Sequence, residues 1–381
     1  MRTFSYARAR LWLGISGVGT FVVLASALLT LDAPSRLLGG RGGSLAVDAA
    51  LLFGVLVAAA ALALPFDVLG GLVLPRRFGR PAPDAGRFAA RWARGVIALA
   101  VISATAGALL LLAGRAGGRG AALAVLVACS LALVTLQEPL ARLVGGLRRA
   151  GADALRVGGI EPDSVVVLEG DDPGFSGGFT GLRPVPVVPK HWLRALGPRT
   201  LALLVERRRR ILRSGAWKRS LTLAVLFNAT GFLLASLLPG AGVTAVSELV
   251  ATSLGFTLWT FLGLLLLPTL SRRATLAADA LVLHDDDGLA RERLELAVRT
   301  LDGLQDDEPE RSPGVESVFH PVPSVASRLR ALAAPRAGGP GAWHLARTSL
   351  FLSHAGLSLL PRAVHCNAGR PELWVYLPAD G

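Results

Sequence analysis

The sequence predicts a mainly α-helical, polytopic membrane protein with about six transmembrane helices. Hydrophobic residues occupy 52% of the 381 positions, the mean hydropathy is +0.52, and only 18% of the residues are charged. This composition is too apolar for an ordinary soluble protein. Apolar runs close to the roughly 20 residues that cross a hydrocarbon core recur along the chain. Arginine clusters precede or follow several of these runs, as in the loops of multi-pass membrane proteins.

Six apolar runs have the composition and approximate length of membrane spans. They lie at residues 11–31, 45–64, 96–113, 121–136, 221–238 and 249–267. Polar residues such as Asn228 interrupt or flank the fourth and fifth runs. The first run has a basic start, a long apolar stretch and no small-residue cleavage site, which favours an uncleaved anchor over a signal peptide.

Arginine placement orients these spans. Arginines precede the first span, lie between the second and third, and follow the fourth, whereas the connection at 239–248 has neither lysine nor arginine. The positive-inside rule therefore places both termini and the segment near 150–220 in the cytoplasm. The chain is rich in Ala, Gly, Leu, Arg and Pro but has only two lysines, Lys190 and Lys218. This bias is typical of a GC-rich genome and predicts a bacterial inner-membrane protein.

The net charge of +13 has a topological explanation and does not predict nucleic-acid binding. Aromatic residues do not interleave with the basic ones, and no nucleic-acid-binding module is recognisable. Membrane lipids are the expected partners of the arginines near the spans. Cys129 lies inside a span and Cys366 in the tail, so a disulfide framework is not indicated.

The chain divides into four regions. Residues 1–149 form a membrane domain with four spans, 150–220 a cytoplasmic segment, 221–268 a pair of spans, and 269–381 a cytoplasmic helical region and tail. In the second region, short β-branched runs flank a turn-rich stretch, GDDPGFSGGFTGLRP, and predict a small β-hairpin or a pair of edge strands. The last region, with an acidic break, a Gly-Pro-rich linker and a final strand-like run, predicts a cytoplasmic cap on the membrane helices.

A helix predicted at 200–213 contains the frame of a zinc-peptidase motif without its ligands. In H-E-x-x-H, two histidines four residues apart bind zinc from one helix face, and the glutamate activates a water molecule. Here Val205 and Arg209 stand at the histidine positions around Glu206. Valine has no lone pair, and a guanidinium is permanently charged and repels a cation.

The order of these features resembles the membrane-bound gluzincin metallopeptidases of the HtpX and CAAX-prenyl-protease type, over about 160–335. In that family the third zinc ligand is the glutamate of an E-x-x-x-D segment, which follows two spans. Thr275 stands at that glutamate position and Asp279 at the aspartate position. The stretch FHPVPSVASRLRAL resembles the family's histidine-proline-serine stretch and arginine helix, with Val322 and Pro323 inserted.

The resemblance implies a degenerate zinc site. Val205, Arg209 and Thr275 replace the three ligands, so no metal is expected, while Glu206 remains as a vestigial base and Asp279 as the carboxylate that would support a ligand. Arg209 is expected to take the metal's volume and to approach Asp279. The other three arginines of the run 207–210 are expected to lie on a solvated face near anionic headgroups. Alternatively, Glu206 is a surface residue paired with a nearby arginine of its own helix.

The function predicted is a membrane pseudopeptidase that binds or regulates membrane proteins or peptides. An active zinc metalloendopeptidase with an unusual site is one alternative. A transporter or structural membrane protein is another, and transport would require Asp48, Ser103, Thr105 and Asn228 to line one cavity. The cluster at 284–287, a histidine followed by three aspartates, lacks compact ligand spacing and is interpreted as a solvated helix end or loop.

Overall fold

A computed structural model of the protein describes residues 5–151, 165–283, 288–333 and 339–376. The amino-terminal half is built mainly from long apolar helices. The helices are α1 Tyr6–Thr30, α2 Ala33–Leu38, α3 Leu45–Val68, α4 Leu74–Arg77, α5 Ala85–Thr135 and α6 Gln137–Leu140. A π-helical turn, Leu69–Val73, joins α3 to α4, and a second, Ala141–Gly145, follows α6.

The remaining helices follow a small sheet. They are α7 Trp192–Ala195, α8 Pro198–Arg213, α9 Ala216–Ala235, α10 Val246–Leu266, α11 Pro268–Leu281, α12 Gly288–Gln305, α13 Pro313–Phe319, α14 Val325–Ala333, α15 Leu345–Leu352 and α16 Pro371–Trp374. A 3₁₀ turn, Ser353–Gly356, extends α15. The mainly helical fold class predicted from composition is therefore confirmed.

Within the described residues, four helical stretches are long and apolar enough to cross a membrane. They are Tyr6–Thr30, Leu45–Arg77, Ala85–Thr135 and Val246–Leu266. The third is divided by a kink at Gly118, where φ is 65°, a left-handed value that favours glycine. Its two arms coincide with the third and fourth predicted spans, and α9 forms where the fifth was predicted. These helices make a multi-pass membrane protein, and the count of six spans stays a prediction.

One ion pair and two hydrogen bonds bring one end of the bundle together. Arg115, just before the kink, lies 2.7 Å from buried Asp48 at the start of α3 and donates to the Thr244 carbonyl at 2.8 Å. Arg119, just after the kink, donates to the Ser236 carbonyl at 3.2 Å. The loop between α9 and α10 therefore lies at the same end as the kink and the start of α3.

Reporter fusions placed after Arg149 and after Ala241 are expected to lie in opposite compartments, with Arg149 in the cytoplasm. The reason is the arginine asymmetry of the flanking loops. A compartment-sensitive pair of reporters, one active only in the cytoplasm and one only outside it, measures this directly. The same compartment at both positions would contradict the topology.

The sheet confirms the two predicted strands but not their pairing. Its strands are β1 Arg148–Arg149, β2 Val166–Glu169, β3 Gly178–Thr180 and β4 Val185–Pro189, in the order β1-β2-β4-β3. The two β-branched runs, β2 and β4, pair in parallel, so the hairpin predicted between them is wrong. The turn-rich connection contributes β3, which forms the antiparallel hairpin with β4. Parallel strands need such a crossover connection, whereas a hairpin needs only a tight turn.

The carboxy-terminal segment 345–376 departs from the predicted cytoplasmic cap. It is almost entirely buried and fills the space between α5, α9 and α10. Polar side chains of the long helices satisfy its backbone: Asn228 donates to the Ser349 carbonyl at 2.9 Å, and Ser253 donates to the Leu357 carbonyl at 2.7 Å. The strand-like run at its end forms α16 instead. Such bonds help the segment to lie between apolar helices, because they give buried carbonyls a partner.

Asp67 fixes this segment to α3. Its carboxylate accepts from Arg362 at 2.6 Å, from the backbone N–H of Gly369 at 2.7 Å and from the indole of Trp92 at 2.9 Å. Asp67 is buried, so these three donors replace the water that the charge would otherwise require.

Candidate functional site

Helix α8 carries two fully buried arginines on the face that packs against the protein. The helix begins at Pro198, whose missing N–H costs nothing at a first helical position. Its buried residues include Leu201, Leu204 and Ile211, and both Arg207 and Arg208 have 0% of their surface exposed. Two buried guanidinium groups require partners, because an isolated buried charge is strongly disfavoured.

Asp279 of α11 is the partner of Arg207. Arg207 Nε donates to Asp279 Oδ1 at 2.8 Å. From α14, Arg328 Nε donates to Oδ2 at 2.8 Å and its Nη2 to Oδ1 at 2.9 Å. One buried carboxylate is therefore held between two buried guanidinium groups, which ties three helices together by charge-assisted hydrogen bonds.

Arg208 fastens the same helix to the sheet. Its guanidinium donates to the Val187 carbonyl of β4 and to the Ser176 carbonyl at 2.7 Å. The group also stacks over Trp192 of α7, with 4.9 Å between the guanidinium carbon and the ring centroid. The space between α8 and the sheet is thus occupied by an arginine that is bonded to the strand's own backbone.

The next turn of this face is apolar. Ile211 packs in a buried cluster with Ala274 and Ala278 of α11 and with Phe179 and Trp343, whose rings lie 5.0 Å apart. On α11, Thr275 is 1% exposed, and its hydroxyl donates to the Ser271 carbonyl at 3.1 Å. Arg207 and Ile211 therefore face the part of α11 that carries Thr275 and Asp279.

The residues predicted for the ligand and base positions lie elsewhere on α8. Glu206 is about one-third exposed and pairs with Arg210 at 3.2 Å and Arg213 at 3.0 Å, as the surface-residue alternative expected. Val205 lies in a different apolar cluster, with Leu294 of α12.

The prediction that Arg209 approaches Asp279 is wrong, because Arg207 takes that place. Each residue turns a helix by about 100°, so positions 207 and 209 point in directions about 200° apart. No hydrogen bond or ion pair of the half-buried Arg209 is seen among the described residues. The prediction that the other arginines of the run lie on a solvated face is also wrong for Arg207 and Arg208, which are fully buried.

The side chains at this locus do not fit zinc. Zinc in proteins is held by thiolate, imidazole or carboxylate groups. Here the available groups are guanidinium, isoleucine and a threonine hydroxyl, and both oxygens of Asp279 already accept from arginine. Across the described ranges, no group of three or more His, Cys, Asp or Glu residues could hold a metal ion. The cluster at 284–287 lies outside the described residues.

The polar residues proposed for transport do not converge in the described part of the chain. Asp48 pairs with Arg115, and Asn228 bonds to the backbone of α15. Ser103 lines a small cavity of about 50 Å³ that none of the other three reaches. Thr105 is exposed on α5, where its hydroxyl donates to the carbonyl one turn earlier. The four residues therefore do not line one cavity, which was the arrangement that would have favoured transport.

A second cluster of titratable side chains, around His320 and His365, was not predicted from the sequence. The rings of His320 and His365 lie 5.3 Å apart, and Arg311 lies 3.3 Å from Asp306 beside them. Burial, together with the positive charge of Arg311, lowers the pKa of His320 well below its usual value, so this histidine is neutral at physiological pH. The members of this cluster come from distant parts of the chain, so the sequence contained no signal of it other than the histidine-proline stretch.

Comparison of the sequence with models of protein families finds no match, and comparison with curated proteins finds none either. Comparison of the fold finds the crystal structure of Ste24p from S. mikatae, with a TM-score of 0.65 and 14% sequence identity. The match covers 86% of this chain and 86% of that one. At this identity the likeness establishes the fold and not the chemistry. The chain therefore shares the helical membrane fold of Ste24p.

Proposed function

We propose that this protein is a membrane pseudopeptidase, a gluzincin-type scaffold that is proteolytically inactive and acts by binding or regulating membrane proteins or peptides. The observation that carries the proposal is the arginine pair on Asp279. In a metal site, a carboxylate beside the ligands accepts the second N–H of a metal-bound histidine. Here the group that reaches the carboxylate from α8 is Arg207, so this position on α8 corresponds to a ligand.

This correspondence moves the degenerate frame two residues along α8. With Arg207 at the first ligand position, Ile211 follows at the second and Arg208 occupies the base position between them. Both arginines are fully buried, and Ile211 packs against α11. Thr275 keeps the third position. In either frame no zinc ligand remains. In the frame that begins at Arg207, two positively charged arginines occupy the place where a zinc ion would bind.

Loss of the metal removes the source of the nucleophile. A zinc ion would polarise the scissile carbonyl and supply a hydroxide at neutral pH. An arginine at the base position cannot take up a proton, since its guanidinium stays protonated. These side chains are compatible with a binding role. In this proposal the protein has no zinc cofactor, and its partners are membrane proteins or peptides. A bacterial inner membrane and cytoplasmic termini belong to the same proposal.

Purified protein is expected to contain no stoichiometric zinc and to cleave no membrane-protein or peptide substrate. Elemental analysis measures the metal, and a membrane-proteolysis assay with and without a chelator measures the activity. Arg208→Glu would restore only the base and is expected to stay inactive. This variant tests whether the loss of the base alone explains the inactivity. About one zinc per chain with chelator-sensitive cleavage would establish the active-peptidase alternative instead.

A further inference from the structure

An apolar cavity of about 340 Å³ lies between α1 and α10. Its inner wall is formed by buried residues such as Leu11 and Leu350, and its rim by exposed apolar residues, Leu265, Val318 and Phe319. Val318 and Phe319 belong to the short helix α13, whereas Leu265 lies near the end of α10. The rim therefore joins a membrane helix to the adjoining helical region.

A small polar chamber adjoins this cavity. The chamber, of about 30 Å³, is lined by His320, Arg311 and Asp306 among others. The two spaces share four lining residues: Pro321, Arg347, His365 and Cys366. His365 reaches this position because Gly14 of α1 has no side chain, and a Cβ there would lie 2.5 Å from the His365 Cβ.

His320 supplies an unsatisfied polar atom to the chamber. The residue is 5% exposed, and its Nε2 has no hydrogen-bond partner among the described residues. A buried polar atom without a partner is unfavourable, so an occupant that bonds to it is favoured. Arg347 adds positive charge. The charge of Arg311 is offset by three carboxylates, with Asp306 at 3.3 Å, Glu308 at 3.5 Å and Asp302 at 4.0 Å.

We propose that these two spaces together bind one fatty acid from the surrounding membrane, with its acyl chain in the apolar cavity and its carboxylate among His320, His365 and Arg347. The apolar cavity matches a hydrocarbon chain, and the Arg347 guanidinium and the unsatisfied ring nitrogen of His320 match a carboxylate. The chamber volume sets the size of that head. It holds about two water-sized groups, enough for the two oxygens of a carboxylate but not for a glycerophosphate.

The test is photolabelling of the full-length protein in lipid nanodiscs with diazirine-bearing palmitic acid. The label is expected on peptides of α1, α10 or the segment 364–366, and unlabelled palmitate is expected to compete. Palmitic acid methyl ester, which lacks the charge, is expected to compete at least about tenfold more weakly. Label found only on peptides outside α1, α10 and 364–366 would overturn the proposal, and this result does not depend on any variant.

Two variants locate the acyl chain. Leu264→Trp places a larger side chain in the cavity and is expected to reduce labelling about tenfold or more. Leu266→Trp is the matched control, because Leu266 is 66% exposed on the same helix and does not line the cavity. Equal loss in both variants, or loss in neither, would contradict the assignment.

Further competition experiments test the carboxylate and distinguish a fatty acid from other lipids. His320→Phe removes the unsatisfied nitrogen, and it is expected to weaken competition by palmitate while leaving competition by the methyl ester unchanged. Competition by phosphatidylglycerol as strong as by palmitate would overturn the single-chain assignment. Equal competition by the acid and its ester would overturn the carboxylate assignment.

Discussion

The triple change Arg207→His, Ile211→His and Thr275→Glu is expected to create a zinc site. The two histidines would stand four residues apart on the face of α8 that packs against α11, and the glutamate would face them from α11. Removal of Arg207 also frees an oxygen of Asp279 to accept from a histidine N–H, which orients the ring and strengthens the ligand. We expect about one zinc per chain, with a dissociation constant on the order of 1 μM or lower.

Elemental analysis and competition with a chromophoric chelator measure this site. The matched control is Val205→His, Arg209→His and Thr275→Glu, which carries the same three ligand types in the frame read from the sequence. This control is expected to bind no stoichiometric zinc, because position 205 lies in the cluster with Leu294. Zinc in the control but not in the first variant would reverse the assignment of the frame, and zinc in neither would contradict the correspondence of this locus to a zinc site.

The change Asp279→Ala is expected to destabilise the fold by about 3–5 kcal/mol. It leaves Arg207 and Arg328 buried without their shared carboxylate, and breaking one partner of a buried ion pair costs about this much. Denaturation of the detergent-solubilised protein, followed by a fluorescent thiol probe or circular dichroism, measures the loss. A lower midpoint with an unchanged slope would indicate a change in stability alone.

Glu206→Ala provides the control on the other face of the same helix. Glu206 pairs with Arg210 and Arg213 at the surface, where such pairs contribute no more than about 1 kcal/mol. Replacement of all three buried charged residues together, Arg207→Met, Asp279→Leu and Arg328→Met, is expected to recover much of the stability lost in Asp279→Ala. If Asp279→Ala were as mild as Glu206→Ala, the arginine pair on Asp279 would not hold the three helices together.

Local patterns of the sequence determined the fold class. Apolar runs near the length of a membrane span, and the glycines at the kink of α5, are properties of neighbouring residues, so hydropathy alone predicts long helices at those places. The order of strands, motif helix, helix pair and following helix was also predicted, and the structure has these elements in that order. An arginine of α8 was predicted to approach Asp279, and one does, although it is Arg207 and not Arg209.

Only the tertiary structure decided which arginine of α8 meets Asp279, which strand pairs with β2, and where the segment 345–376 lies. The run of four arginines gives no periodic signal, because each position carries the same side chain while the helix turns by about 100° per residue. The buried face is therefore set by α11 and the sheet. The position of the segment depends on partners far along the chain, such as Asp67 and Gly369, whose contact no local pattern of hydropathy encodes. The parallel pairing of β2 with β4 depends on the connection between them, which contributes β3 to the sheet.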